Sequence, residues 1–323
     1  MTEKGVYMTK QADDIRLLPN DLQSLQFTLP FRTDEGAKQD FGRAVIVGGS
    51  ASFVGAPCFA AESAAEVLAL AGEAAMRSGA GTTVLALPDI LLPALYPHLR
   101  YSAAFALPSS GGNIVFDEAA AKKLFRGATS VAMGMGMADG DAYSYARLLL
   151  DETDATLVLD ADGLKCARGI GDFGGRAVLT PHIGEAARLT GLTTEEISAR
   201  PAEICRETAR ELSAVVILKG HESYISDGES VYVNRTGNGK LSKGGSGDVL
   251  SGIIGGLLAW KVQPLHAARV GAYALGRAAE FSKMNAVSHL PDDIMYCLPL
   301  VFDELQGVMR LGGEGADSPG IPD

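Results

Sequence analysis

The sequence predicts an α/β fold built on a mainly parallel sheet covered on both faces, with a short antiparallel hairpin late in the chain. Three observations carry this. Short, wholly apolar runs recur between helical patterns, as strands buried on both faces require. Nearly every run ends directly in glycines or polar groups. The 323 residues include 39 glycines and only 7% aromatics, a composition that suits helices lying close on a sheet.

The elements follow in order. Residues 1–40, with Pro19, Pro30 and several charges, are expected to form an N-terminal extension leading into a domain over residues 41–310. Ala44–Val47 is a short apolar run that stops at Gly48-Gly49-Ser50, and Ala60–Arg77 is Ala- and Glu-rich and predicts a helix. Thr82–Leu87 reads as a strand ended by Pro88; Ser130–Met133 stops at Gly134. Thr156–Leu159 runs into Asp160-Ala161-Asp162, Ala177–Leu179 into Thr180-Pro181-His182, and Val215–Leu218 into Lys219-Gly220. Tyr224–Val233 alternates around Asp227-Gly228, a hairpin signal. Residues 311–323 read as a disordered tail. Ligands of open parallel sheets bind at the carboxyl ends of the strands, so these glycine and polar endings should converge on one edge.

A net charge of −11 argues against nucleic acid as the main partner, yet leaves room for an anionic small ligand held by backbone donors. Cys58, Cys166, Cys205 and Cys297 are scattered, without a C-x-x-C pair, which excludes a zinc or disulfide framework and leaves them as small buried hydrophobes. The charged start has no secretory core, and the longest apolar run, near Ser251–Trp260, is too short to span a bilayer. A cytoplasmic protein without a membrane partner is expected.

The sharpest motif is Gly244-Gly245-Ser246-Gly247-Asp248, followed by a helical pattern in which Val249, Leu250, Ile253, Ile254, Leu257 and Leu258 share one face. Gly252, Gly255 and Gly256 let that helix approach a sheet or another helix, at a cost of roughly 1 kcal/mol each in propensity. A glycine turn at a helix N-terminus presents free N–H groups and the positive end of the dipole, which together make an anion site. Asp248, in the first turn, can serve as a helix-capping charge or can take a proton from a hydroxyl facing a bound phosphate. Other motifs fail. Gly239-Lys240 continues with Leu241 rather than completing a Walker sequence, Gly134-Met135-Gly136 lacks dinucleotide spacing, and Asp248 stands where a hydrolase elbow needs glycine.

The glycine motif, the preceding hairpin and the α/β order resemble the ribokinase superfamily, a three-layer α/β/α sandwich, and within it the ADP/ATP-dependent NAD(P)H-hydrate dehydratases. Five segments carry the resemblance in the family's order. They are Phe41–Ser50 with Gly55-Ala56; Asp160-Ala161-Asp162-Gly163-Leu164; Thr180-Pro181-His182-Ile183-Gly184-Glu185; Leu218-Lys219-Gly220-His221; and Gly237-Asn238 through Gly244–Gly252. They extend over about residues 38–260, and T-P-H-x-G-E is the most specific.

The resemblance implies repair of hydrated NADH or NADPH (NADHX, NADPHX), with ADP or ATP as co-substrate and Mg²⁺ accompanying it. Asp248 would be the base, with Gly245, Ser246 and Gly247 as the anion hole. The hydrate would lie near Gly49, Ala56, Gly136, His182 and Asp248, and the adenine nucleotide on Lys219, Gly220, His221, Glu222, Ser223 and Gly247. A homo-oligomer, perhaps a tetramer, is also implied, and the separate epimerase domain fused in some relatives finds no room before residue 41. A small-molecule kinase of the same superfamily, resembling hydroxyethylthiazole or sugar kinases, and a nucleotide-binding protein without catalysis are the alternatives.

Several residues keep a structural alternative. His182 could be a structural histidine and Lys219 a solvated lysine. Asp160 and Asp162 could bind metal, though capping suits Asp162 better, and Glu185 could be a first-turn helix charge. Met133, Met135 and Met137 are read as space-fillers. The chain also departs from the family pattern. Gly134-Met135-Gly136-Met137-Ala138 stands for G-P-G-L-G, and Gly237–Asp248 stands for G-N-P-G-M-A-T-G-G-T-G-D. Val54 replaces a favoured Tyr, and the Ala60–Arg77 helix looks longer than usual. Lys240 and Lys243 add positive charge near the phosphates.

Overall fold

The apolar runs form the centre of a ten-stranded sheet. The computed structural model describes residues 15–51 and 57–308. Its strands are β1 (Leu17–Asn20), β2 (Arg43–Val47), β3 (Thr82–Pro88), β4 (Ala103–Leu107), β5 (Ser109–Ser110), β6 (Asn113–Ile114), β7 (Ser130–Met133), β8 (Thr156–Leu159), β9 (Ala177–Leu179), β10 (Val215–Leu218), β11 (Ser223–Ser226) and β12 (Val231–Asn234). The sheet order is β1-β12-β11-β10-β9-β8-β7-β2-β3-β4, with β5 and β6 paired separately. β11 alone runs against its neighbours, pairing antiparallel with both β10 and β12. The expected mainly parallel sheet and its hairpin are therefore both present.

Alternation along the strands divides the core into two layers. Ile46, Leu85, Ala132, Val158, Val178 and Ile217 point to one face, where the helices Pro57–Arg77, Ser246–Ala259, Pro264–Phe281 and Pro291–Gln306 cover them. Val45, Val131, Met133, Leu157, Leu159, Val216 and Leu218 point to the other, under Ala142–Glu152, Ile183–Thr190 and Pro201–Leu212. Met133, Met135 and Met137 are wholly buried space-fillers, as expected. Cys166 and Cys205 are buried too, and burial pushes both thiols up to about 12, which leaves them unreactive.

Two edge strands were not foreseen. β1 lies inside the segment expected to lead into the fold, and it adds to β12 in parallel register. Leu17–Asn20 is too short and too proline-broken to read as a strand, but an edge position tolerates Pro19. Asn20 secures it, donating to Asn234 Oδ1 at 3.0 Å and to the carbonyl of Arg269 at 2.9 Å. β4 closes the opposite edge beside β3. The expected tail, 311–323, and the start, 1–14, lie outside the described residues. Among the described residues no helix is long and apolar enough to cross a membrane.

The Ser246–Ala259 helix, which begins at the glycine motif, is buried along almost its whole length. Its glycines explain how. A Cβ on Gly252 would lie 2.2 Å from the carbonyl of Ala71, and one on Gly256 2.3 Å from that of Ala75, so the two helices touch backbone to backbone. Gly255 faces the sheet instead, where a Cβ would meet Ala132 at an ordinary 3.6 Å. Gly252→Ala and Gly256→Ala are expected to destabilise the fold by about 1–3 kcal/mol each. Gly255→Ala should be neutral or stabilising by up to about 1 kcal/mol. Chemical denaturation of the three variants checks this ranking.

Candidate active site

The strand endings meet at one edge. The turn after β2 is tied to the turn after β7 by Gly49 N donating to Met135 O at 2.9 Å, and a Cβ on Gly136 would lie 3.8 Å from Gly49. Gly134, at φ +123°, lies so near the next ending that a Cβ would fall 2.0 Å from the carbonyl of Asp160. β9 and β10 endings are joined by Lys219 N donating to Pro181 O at 2.8 Å, which sets His182 beside Lys219. Gly49, Gly136, Asp160, His182 and Lys219 thus line a continuous edge. Ala56 and Val54 lie outside the described residues.

Ala138 shows how the altered turn after β7 is kept. It holds a left-handed φ of +51°, where the family pattern has glycine. That conformation costs a non-glycine residue about 1–2 kcal/mol. Asp162 Oδ2 accepts the amide of Ala138 at 2.8 Å and Lys165 Nζ donates to its carbonyl at 2.9 Å, while Lys165 and Asp162 pair at 2.8 Å. Asp162 therefore pins the neighbouring turn rather than binding metal.

The centre of the site is Asp160, buried at the end of β8. Its Oδ1 accepts from Thr180 Oγ1 at 2.7 Å and from Lys219 Nζ at 2.8 Å, and its Oδ2 accepts from Ser251 Oγ at 3.1 Å. A Cβ on Gly247 would lie 3.5 Å from Asp160 Oδ2 and 3.7 Å from Lys219 Nζ, so the glycine turn rests directly on this ion pair. Gly245, at φ +93°, makes the bend that starts the helix; a Cβ there would also come 2.7 Å from Pro291. The first intrahelical bond is Val249 N to Gly245 O, 3.0 Å, which leaves the amide of Gly247 without a helical acceptor; the Ser246 amide donates to Lys243 O at 3.4 Å and the Asp248 amide to its own carboxylate. Ser246 Oγ is buried with no partner. An orphaned hydroxyl beside free amides at a helix N-terminus fits a phosphoryl group.

Asp248 sits in the first turn of that helix. Burial, and then the Asp160 carboxylate, push its carboxyl up to about 7, against a smaller opposing pull from Lys219. A carboxylate held near neutrality is suited to accept a proton, since it is free at physiological pH yet basic enough to hold the proton it takes.

His182 is used structurally. Its Nδ1 accepts from the amides of Gly184 at 3.0 Å and Glu185 at 3.3 Å, and its own amide donates to Glu185 Oε2 at 2.8 Å, a reciprocal capping box. The ring is half exposed, with Nε2 3.4 Å from Glu185 Oε1. Glu185 is thus the first-turn charge, and it lies 3.9 Å from Lys219.

Beside the glycine turn opens a cavity of about 460 Å³. Lys219, Gly220, His221, Ser223 and Gly247, the residues named for the nucleotide, line it. Glu222 turns away: its carboxylate accepts from Arg235 at 2.7 Å, and that bond holds it below the usual carboxylate range. Sequence reasoning missed the apolar wall, Ile217, Leu241, Leu250, Ala272 and Leu275, and the polar Asn234 and Thr236. Lys243 lines the cavity, but its Nζ donates to Val287 O at 2.7 Å; Lys240 donates to the carbonyls of Ala279 and Ser282. Among the described residues no group of three or more His, Cys, Asp or Glu is placed to hold a metal. An Mg²⁺ ion accompanying a nucleotide would be held chiefly by its phosphates.

A family model described as NAD(P)H-hydrate dehydratase matches residues 44–300. Over 283 residues the chain is 35% identical to the ADP-dependent (S)-NAD(P)H-hydrate dehydratase of Neisseria meningitidis, covering 82% of this chain and 87% of that protein. It is 34% identical over 291 residues to a bifunctional NAD(P)H-hydrate repair enzyme of Pyrobaculum aerophilum, covering 88% of this chain and 54% of the relative, about half its length. Among solved structures it is similar to the ADP/ATP-dependent NAD(P)H-hydrate dehydratase from Bacillus subtilis, co-crystallised with ATP/Mg²⁺, with a TM-score of 0.73 and 28% identity over 91% of this chain and 100% of that one. A ribokinase-like superfamily protein from Enterococcus faecalis shares the fold, with a TM-score of 0.71 at 22% identity over 94% of this chain and 99% of that one.

The raised carboxyl of Asp248 has a consequence for stability. The folded protein keeps this proton up to about pH 7, whereas an unperturbed aspartate releases it near 3.8. Protonated Asp248 therefore contributes stability that is complete below about pH 4 and is lost as pH rises through about 7. Asp248→Asn, which removes the charge and keeps the shape, is expected to match the parent near pH 4. Near pH 8 it should be more stable, by up to about 4 kcal/mol. Thermal melts at the two pH values check this, and equal melting at both would contradict a desolvated carboxylate.

Proposed function

The chain belongs to the NAD(P)H-hydrate dehydratase family, and we propose that it returns hydrated NADH or NADPH to the intact cofactor, with ADP or ATP as co-substrate and Asp248 as the base. The observation that carries this reading is the placement of Asp248. It stands at the N-terminus of the glycine-motif helix, with its carboxyl raised to about 7, beside the Asp160–Lys219 pair and the 460 Å³ cavity.

The nucleotide lies in that cavity, its base against Leu241, Leu250 and Leu275 and its terminal phosphoryl group toward the glycine turn. The amides of Gly245 and Gly247 and the Ser246 hydroxyl donate to the phosphoryl oxygens and spread their charge; the expected Ser246 amide is already given to Lys243 O at 3.4 Å. Lys219, fixed by Asp160, adds a positive charge at the same point. The hydrate lies along the other half of the edge, by Gly49, Gly136 and the exposed ring of His182.

The chemistry follows from what hydroxide cannot do. It is a poor leaving group, and phosphorylation makes it a good one. Asp248 takes the proton of the ring hydroxyl as its oxygen attacks the terminal phosphoryl group, and the shortened nucleotide leaves with the bonding pair. Phosphate then departs with the C–O electrons, a ring proton is lost, and the double bond of the reduced nicotinamide returns. The low-dielectric surroundings that raise Asp248 also strengthen each charge–dipole contact made to the transferring group.

Incubation of the protein with NADHX, Mg²⁺ and either ADP or ATP is expected to restore the absorbance of reduced nicotinamide, in a nucleotide-dependent manner. Asp248→Ala should lower the rate by about 10²–10⁴-fold without abolishing nucleotide binding. A folded, nucleotide-binding protein that restores no absorbance with either nucleotide would sink the reading. Release of a stable phosphorylated alcohol would point to the small-molecule kinase instead.

A further inference from the structure

Lys240 and Lys243 stand where the family pattern has Gly and Thr, in the loop that walls the nucleotide cavity. Gly237, Asn238, Gly239, Leu241, Ser242 and Lys243 of this loop all face the cavity. Both ammonium groups are spent on backbone carbonyls of one neighbouring stretch. Lys240 Nζ donates to Ala279 O at 3.1 Å, in the last turn of the Pro264–Phe281 helix, and to the carbonyl of its C-cap Ser282, where a cation also meets the negative end of the helix dipole. Lys243 Nζ donates to Val287 O at 2.7 Å. A third tie comes from the same region: Gly237 N donates to Glu280 Oε1 at 2.8 Å.

The stretch that receives these bonds also supports the glycine turn. It leads into Pro291, whose ring packs on Gly245. His289, within it, is wholly buried with neither ring nitrogen partnered, so it contributes packing but no hydrogen bond to hold the stretch in place. Beside the Gly237–Glu280 bond, the two lysines therefore add polar ties from the cavity wall to the helix end and to the stretch that follows it. A lysine aimed at a phosphate would leave these carbonyls bare, whereas a lysine bound to them fixes the loop before any ligand arrives.

We propose that Lys240 and Lys243 are positioning residues that preorganise the nucleotide wall by lashing it to the end of the Pro264–Phe281 helix and to Val287 in the stretch that follows, and that they do not act as phosphate ligands. The proposal rests on the reading of the cavity as the nucleotide site. A wall fixed in advance lowers the ordering cost of binding for every nucleotide alike, while a phosphate contact gains with each phosphate present.

The test is calorimetric titration of AMP, ADP and ATP into the full-length parent, Lys240→Met, Lys243→Met and Lys240→Arg. The two Met variants are expected to lose about tenfold in affinity for all three nucleotides by the same factor, the size of a lost charge-assisted hydrogen bond. Lys240→Arg should recover most of that loss, because a guanidinium can reach the same carbonyls. Hydrogen exchange of the amides of residues 237–243 should quicken in the ligand-free Met variants, with kcat held and KM for nucleotide raised. A loss that steepens from AMP to ATP would overturn the proposal in favour of phosphate contact, and unchanged affinities would overturn it outright. If the parent binds none of the three, the nucleotide reading itself fails and the proposal with it, an outcome distinct from a parent that binds while its variants match it.

Discussion

The Asp160–Lys219 ion pair, buried at its carboxylate and partly exposed at its ammonium, is the interaction on which the site depends. It joins the ends of three strands: Asp160 follows β8, Lys219 follows β10, and Thr180, which donates to the same carboxylate, follows β9. Ser251 brings the glycine-motif helix to the other oxygen. A carboxylate taken out of water needs such partners, and here every donor comes from a different element. The pair thus fixes the helix N-terminus relative to the sheet edge. Its two charges also set the balance at Asp248, whose carboxyl is raised by burial and by Asp160 and restrained by Lys219.

Around that pair the fold supplies two halves of a cleft. On one side lie the turns after β2 and β7, held in contact by a backbone hydrogen bond and by glycine-sized clearances. On the other lies the cavity beside β10–β12, with one apolar and one polar wall. The hairpin matters here because β11 reverses direction, so that β12 returns toward the same edge and delivers Asn234 and Thr236 to the cavity. The Ser246–Ala259 helix reaches this place because Gly252 and Gly256 let it lie against Pro57–Arg77 at backbone distance.

Much of this was legible in the sequence, and the reasons are local. Wholly apolar runs that end in glycine reveal parallel strands and their ligand edge together, and a glycine cluster followed by a helical face reveals an anion site. What escaped depends on long-range contact. Asp160 could be read only as a candidate metal ligand, since its Lys219 and Ser251 partners are far along the chain. The capping role of His182 is set by backbone geometry, and Glu222 is drawn off by Arg235 across the hairpin. β1 escaped because Pro19 and Asn20 break its apolar run, whereas β4 is the wholly apolar Ala103–Leu107 and was legible in principle. The departure at Ala138 is rationalised by Asp162 and Lys165, which hold a turn that glycine adopts unaided.

The central claim is that Asp160 and burial together poise Asp248 as the base. The measurement that tests it most directly is the pH dependence of kcat/KM for hydrate repair in the parent and in Asp160→Asn. The parent should show an acid limb near pH 7, matching the raised carboxyl of Asp248. In Asp160→Asn the limb should move to lower pH, because one of the two causes of the raised value is gone. Phosphate groups of the nucleotide titrate identically with both proteins, so the displacement between the profiles carries the result. An acid limb in the same place in both would contradict the account.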